Sequence, residues 1–127
     1  MIDALFNDPN YLAAKKSLDA VALRQEAIAT NLANLETPGY RRVDIAPSFK
    51  TELARACAAG DPQQLAALKP TLAPDASAVP NSRDGNTVNM ESEMMQLNQN
   101  VLAHALETQL VSASLLKLKL AITGKAA

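Results

Sequence analysis

Aromatic side chains are what this sequence has least of. Phe, Tyr and Trp make up 3% of its 127 residues, and Trp is absent. Hydrophobic residues reach 48%, but alanine supplies much of that total and buries little area per residue, so a self-sufficient core would be thin. Cysteine is nearly absent too. Cys57 stands alone, which excludes an intrachain disulfide framework. In its alanine-rich surroundings it reads as a small buried hydrophobe, and no motif sets a histidine beside it for nucleophilic catalysis. The single histidine, His104, has no companions at metal-ligand spacing, so the sequence offers no catalytic, cofactor or metal site. Excess charge of either sign is missing as well: 12 Lys+Arg face 13 Asp+Glu, for a net charge of −1. The pairs Lys15-Lys16 and Arg41-Arg42 form no basic stripe, which argues against a nucleic-acid partner. No run of 18 apolar residues exists, so no membrane span is expected. Met1 to Phe6 carries neither a basic stretch nor a long apolar run. That predicts no secretory signal, and either a cytoplasmic location or export without a cleaved signal.

What the chain does have is helical pattern. An Ala- and Leu-rich composition favours helices, and the pattern predicts an all-α fold in a single domain over 1–127. An N-terminal helix is expected over 8–36, with Asp8 as its cap and Pro9 at its first position. Along it Tyr11, Ala14, Leu18, Val21, Gln25, Ile28, Leu32 and Leu35 recur at steps of three and four, a heptad seam. Ala22, Ala29 and Ala33 form a second stripe of small residues. The helix has to stop before Pro38. A C-terminal helix is expected over 89–123, with Glu91 and Glu93 complementing the dipole at its start and Gly124 ending it. Its seam reads Met90, Met94, Leu97, Val101, His104, Thr108, Val111, Leu115, Leu118 and Ile122. These lengths are roughly 40 and 50 Å at 1.5 Å per residue.

The segment 37–88 between them is weakly patterned. Short helices are predicted over 48–59, with Phe49, Leu53 and Cys57 on one side, and over 62–68. Four of the seven prolines lie between 62 and 80, and 69–86 reads as loop. Two long helices packed as a hairpin or coiled coil leave seams and flanks that they cannot cover for each other. The pattern therefore describes an assembly module whose terminal helices order fully only against partners.

The end of the first helix narrows this. Ala29-Thr30-Asn31-Leu32-Ala33-Asn34-Leu35-Glu36-Thr37-Pro38-Gly39-Tyr40 resembles the N-terminal signature of flagellar rod, hook and hook-associated proteins. Its physics is legible. Asn31 and Asn34 are poor helix formers that need partners for their amides, within the chain or across a subunit boundary. Thr37-Pro38-Gly39-Tyr40 suits a type II turn with Gly39 at positive φ, and aims Tyr40 at the helix end or at a neighbour. Asp84-Gly85-Asn86-Thr87-Val88-Asn89-Met90-Glu91, Arg41-Arg42-Val43-Asp44-Ile45 and the closing Ala121-Ile122-Thr123-Gly124 resemble the proximal rod subunits of that family. The sequence departs from the pattern at Leu35, Glu36, Asn89 and His104, and the resemblance leaves 46–83 unaccounted for.

The resemblance implies a non-enzymatic structural subunit of the periplasmic rod of the bacterial flagellum. It would transmit torque and line the export channel, having left the cell by flagellar type III export. Its implied partners are further copies of itself, other rod proteins, and the basal-body ring and export gate, including an adaptor of the FliE type. The residues expected at assembly contacts are Leu18, Val21, Gln25, Ile28, Asn31, Leu32, Asn34, Leu35, Thr37, Pro38, Gly39, Tyr40 and Asn86. From the second helix they are Met94, Leu97, Val101, His104, Val111, Leu115 and Leu118. A different proximal rod subunit, a helical export adaptor or chaperone, and an enzyme with its site in 46–83 are the competing readings.

Overall fold

The fold is taken from a computed structural model that describes residues 6–124. Its first long helix, α1, is Pro9–Ala33. Asp8 caps it as the sequence predicts, accepting from the Asn10 N–H at 3.2 Å, with Pro9 in the first turn. The helix ends at Ala33, short of the expected residue 36. There the Asn34 amide bends back to the Thr30 carbonyl at 2.8 Å, and an asparagine that bonds its own helix end competes with the next turn. Pro38-Gly39 then reverses the chain. Gly39 has φ +70°, and the Tyr40 N–H closes the turn on the Thr37 carbonyl at 3.3 Å.

A two-stranded antiparallel sheet follows, β1 (Val43–Ile45) with β2 (Leu72–Pro74), paired Val43 to Pro74 and Ile45 to Leu72. This corrects both the all-α expectation and the reading of 69–86 as loop throughout. Strands of three residues are too short to show a period. Pro74 disguises β2 further, although proline is at home on a strand edge that needs no N–H. Between the strands lie α2 (Pro47–Ala59) and α3 (Pro62–Ala67). Phe49 and Ala56 are buried and Leu53 half-buried on one side of α2. Cys57 falls one residue beyond that stripe and is exposed, so it is not the small buried hydrophobe that composition suggested. Leu12, Ala56 and Leu65 form a small apolar cluster, with Tyr11, Ala13, Leu53 and Leu68 packed on it. This seats α2 and α3 on the N-terminal half of α1.

The second long helix, α4, is Met90–Thr123. Its length is about 50 Å at 1.5 Å per residue. Asn89 caps it by accepting from the Ser92 N–H at 2.9 Å, and Gly124 ends it at φ +64°. Helix α4 runs beside α1 in the opposite sense: Glu93 lies by Asn31, Gln96 by Arg24, and Asn100 by Val21 and Gln25. The face it turns to α1 is largely polar, with Glu93 and Asn100 buried and Gln96 half-buried. The apolar seam read from the sequence overlaps that face only in part: Leu97, Val111 and Leu118 are half-buried, but its other members point outward. Met94, Val101 and Leu115 on it are 42%, 57% and 43% exposed.

Candidate assembly interface

The signature segment is positioned by a polar centre that joins four parts of the chain. Asn31 is fully buried, and every bond it makes is internal. Its amide donates to the Val43 carbonyl (2.9 Å) and to Glu93 Oε2 (3.3 Å). Its oxygen accepts from the Val43 N–H (3.0 Å) and the Tyr40 hydroxyl (3.2 Å). That fills the capacity of a side-chain amide, two donors and two acceptor sites. Of the two destinations that the sequence left open for Tyr40, the structure shows the helix end.

Asn86 performs the same service at the turn. It is buried, and its amide lies 2.9, 3.0 and 2.8 Å from the carbonyls of Asn34, Leu35 and Thr37. These include carbonyls that the end of α1 leaves without helical partners. Its oxygen accepts from the Val88 N–H at 2.8 Å. Two backbone bonds complete the join: Gly39 N–H to the Asp84 carbonyl (2.8 Å) and Thr87 N–H to the Tyr40 carbonyl (3.0 Å). Gly85, at φ +81°, brings the two strands of the join together, and a Cβ there would stand 3.9 Å from the Gly39 Cα.

Charge fills the rest of the centre. The Arg42 side chain is 7% exposed, and that of Glu93 is 0% exposed. Arg42 Nε donates to Glu93 Oε1, Nη1 donates to Asp75 Oδ2 at 2.7 Å, and Nη2 stands 3.1 Å from Asp44 Oδ2. Arg24 of α1 grips Asp44 with both Nε (3.0 Å) and Nη2 (3.2 Å), and also donates to Gln96 of α4. Burial works against the charge on Arg42, but the hydrogen bond and charge of Glu93, aided by Asp44, outweigh it and raise its pKa. Burial, and then the Glu93 charge, push the Tyr40 hydroxyl up. The Ser77 hydroxyl is the main reason that the Asp75 carboxyl lies below its ordinary value. Burial opposes this, while the Ser77 N–H and Arg42 add to it. These carboxylates all face arginine, amide or hydroxyl donors. Among the described residues no group of His, Cys, Asp and Glu is arranged to hold a metal.

The expected contact residues therefore fall into three sets. Asn31, Asn34, Thr37, Tyr40 and Asn86 hydrogen-bond within the chain, and Ile28 is buried. Leu18, Val21, Leu32 and Leu35 are half-buried, as are Leu97, Val111 and Leu118. Gln25, Pro38, Gly39, Met94, Val101, His104 and Leu115 are exposed. Sequence reasoning missed Arg24, Arg42, Asp44, Asp75 and Asn100, and read Glu93 only as a dipole charge. A signal for part of this was present: Glu93, Gln96, Asn100 and Glu107 recur at steps of three, four and seven in a helix otherwise rich in Leu and Met.

No family model matches the chain, but known proteins do. Flagellar basal body rod protein FlgB of Borrelia hermsii is 30% identical over 115 residues, covering 76% of this chain and 83% of that protein. The protein of the same name from Escherichia coli K12 is 32% identical over 117 residues, covering 80% and 83%. That from Cereibacter sphaeroides is 34% identical over 110 residues, covering 80% and 84%. Two long helices, the first followed by the Thr37-Pro38-Gly39-Tyr40 turn that is fastened to the start of the second, thus stand in the setting of flagellar basal body rod proteins. Within that class, the chain belongs to the FlgB family.

Proposed function

We propose that this chain is a structural subunit of the flagellar rod, built into it through the outward faces of its two long helices, and that it catalyses no reaction. The observation that carries this is the surface of α4. Met94, Val101, Leu102, Leu106, Leu115 and Ile122 are each at least 42% exposed. They lie on sides of the helix that α1 does not cover. Large apolar side chains left uncovered along one helix mark a surface that packs against another chain, and neighbouring subunits supply it. In the assembled rod α1 and α4 form a hairpin whose free seams are completed by the helices of neighbours in coiled-coil fashion. Residues 1–127 act as one rod-type unit. Packed this way the subunit transmits torque and lines the channel. It meets other copies of itself, other rod proteins, and the ring and export gate with its FliE-type adaptor. It reaches the periplasmic rod through flagellar type III export, without a cleaved signal.

The test is complementation of a strain lacking this chain with Val101→Asp/Leu115→Asp, two exposed positions whose change leaves the polar centre intact. The expected result is a helical, soluble subunit by circular dichroism, with loss of swimming and no rods in isolated basal bodies. Normal swimming and rods would refute the reading.

A further inference from the structure

The face that α4 turns inward is the wrong one by hydrophobicity alone. Its apolar seam, Met94 to Leu115, is long enough to pack on α1, whose own inward side carries Leu18, Val21 and Ile28. Instead α4 presents Glu93, Gln96 and Asn100 to α1, and the centre of its apolar seam stays exposed. At 3.6 residues per turn the two stripes are offset by roughly a quarter turn. Rotation about the helix axis by that amount would exchange one face for the other. Burying apolar area is favourable, so something must oppose the roll.

Two sets of contacts do. At one end Glu93 is tied to Arg42 and Asn31, all of them buried. Two turns along, Asn100 is 2% exposed, and its amide donates to the Val21 backbone carbonyl (3.0 Å) and to Gln25 Oε1 (2.9 Å). A roll would strand a buried charge pair and a buried amide, and orphaned groups of this kind cost more than the bonds contribute when made. A buried polar residue that fixes helix register at some expense of stability is the best-attested use of such groups.

We propose that Glu93 and Asn100 are a rotational lock: they fix α4 so that its apolar seam points away from α1 and is left for a helix of a neighbouring subunit. The polar contacts thereby decide which surface the subunit shows, rather than how stable it is. The lock itself is a property of the single chain. Its consequence for assembly rests on the rod-subunit reading above.

Two cysteine reporters follow the roll in a Cys57→Ser background, each in the full chain. Val101→Cys sits on the exposed seam, and Ala103→Cys on the half-buried side toward α1. The lock is removed as Arg42→Ala/Glu93→Ala/Asn100→Ala, which takes away both members of the ion pair together and leaves the inward face less apolar than the seam. In the monomer the maleimide labelling rate at 101 is expected to fall roughly tenfold, as for a side chain awaiting local opening, while the rate at 103 rises by a similar factor. Swimming is lost. Rates that rise together show loosening without rotation and overturn the proposal, as do rates that stay unchanged. Opposite shifts in a strain that still swims leave the lock standing and refute its role in assembly. If the triple variant does not fold, Asn100→Ala alone is read on the same two reporters. There a ratio of the two rates equal to that of the parent overturns the proposal.

Discussion

Replacing Asn86 with alanine tests the join between the signature turn and the start of α4. The Asn86 amide has two hydrogens to share among the carbonyls of Asn34, Leu35 and Thr37, and its oxygen is the acceptor of the Val88 N–H. Asn86 and Val88 are each 1% exposed. Truncation removes two or three hydrogen bonds worth about 1 kcal/mol each, and leaves a buried N–H whose lost partner adds about 1–3 kcal/mol. The expected loss is thus on the order of 3–6 kcal/mol, a large share of the roughly 5–15 kcal/mol that holds a domain folded. Urea unfolding of the purified subunit, followed by circular dichroism, reads this directly as a lower midpoint at constant slope. Asn86→Asp supplies the sharper control. It keeps the shape but turns a donor into an acceptor aimed at three carbonyls, so it is expected to be worse than alanine at neutral pH. A cost below about 1 kcal/mol for Asn86→Ala, or an Asn86→Asp variant as stable as the parent, would refute the reasoning.

Other expectations follow from the same geometry. Gly39→Val places a β-branched residue at φ +70° and should cost about 1–2 kcal/mol or more, with swimming reduced because the turn is strained; an unchanged unfolding midpoint would count against the turn. The Asp75 carboxyl is held below its ordinary value, so its contribution to stability is present above the unfolded pKa, about 4, and is lost as pH falls through the lower folded value. Acid unfolding of Asp75→Asn should therefore show a shallower pH dependence in that window than the parent, and identical curves would exclude the role. Hydrogen exchange on a verified monomer should find slow amides in 24–33 and 93–100, around the polar centre. Exchange should be fast in 106–122, where α4 is mostly exposed. Uniform protection along α4 would mean that its far end needs no partner.

The parts legible in the sequence are those governed by neighbours in the chain. Asp8 with Pro9, Asn89 and Gly124 mark helix ends through bonds that span two to four residues, and Pro38-Gly39 sets its turn in the same way. What escaped was decided by distant partners. Glu93 looks like a dipole charge until Arg42, 51 residues earlier, is beside it. The side that α4 turns inward escaped for a different reason. Heptad counting finds the most regular apolar stripe, whereas burial here follows hydrogen-bonding partners that counting does not see. Strands β1 and β2 each span three residues, and each has its partner in a distant part of the chain. Cys57 was misplaced by one position on a single turn of α2.

The join at Asn86 also makes residues 41–83 a closed loop with its two ends fastened at one point. Further in, the two ends of this loop are tied to both long helices by Val43 on Asn31, Asp44 on Arg24, and Arg42, itself paired with Asp75, on Glu93. The entropy of closing a loop grows only slowly with its length, by about 0.6 kcal/mol per doubling. Residues 46–71 lie outside those ties, between the paired ends Ile45 and Leu72, so a segment of another length fits there without disturbing the polar centre, at the cost of the cluster of Leu12, Ala56 and Leu65. The paired strands make the chain a socket, and residues 46–71 are the piece plugged into it.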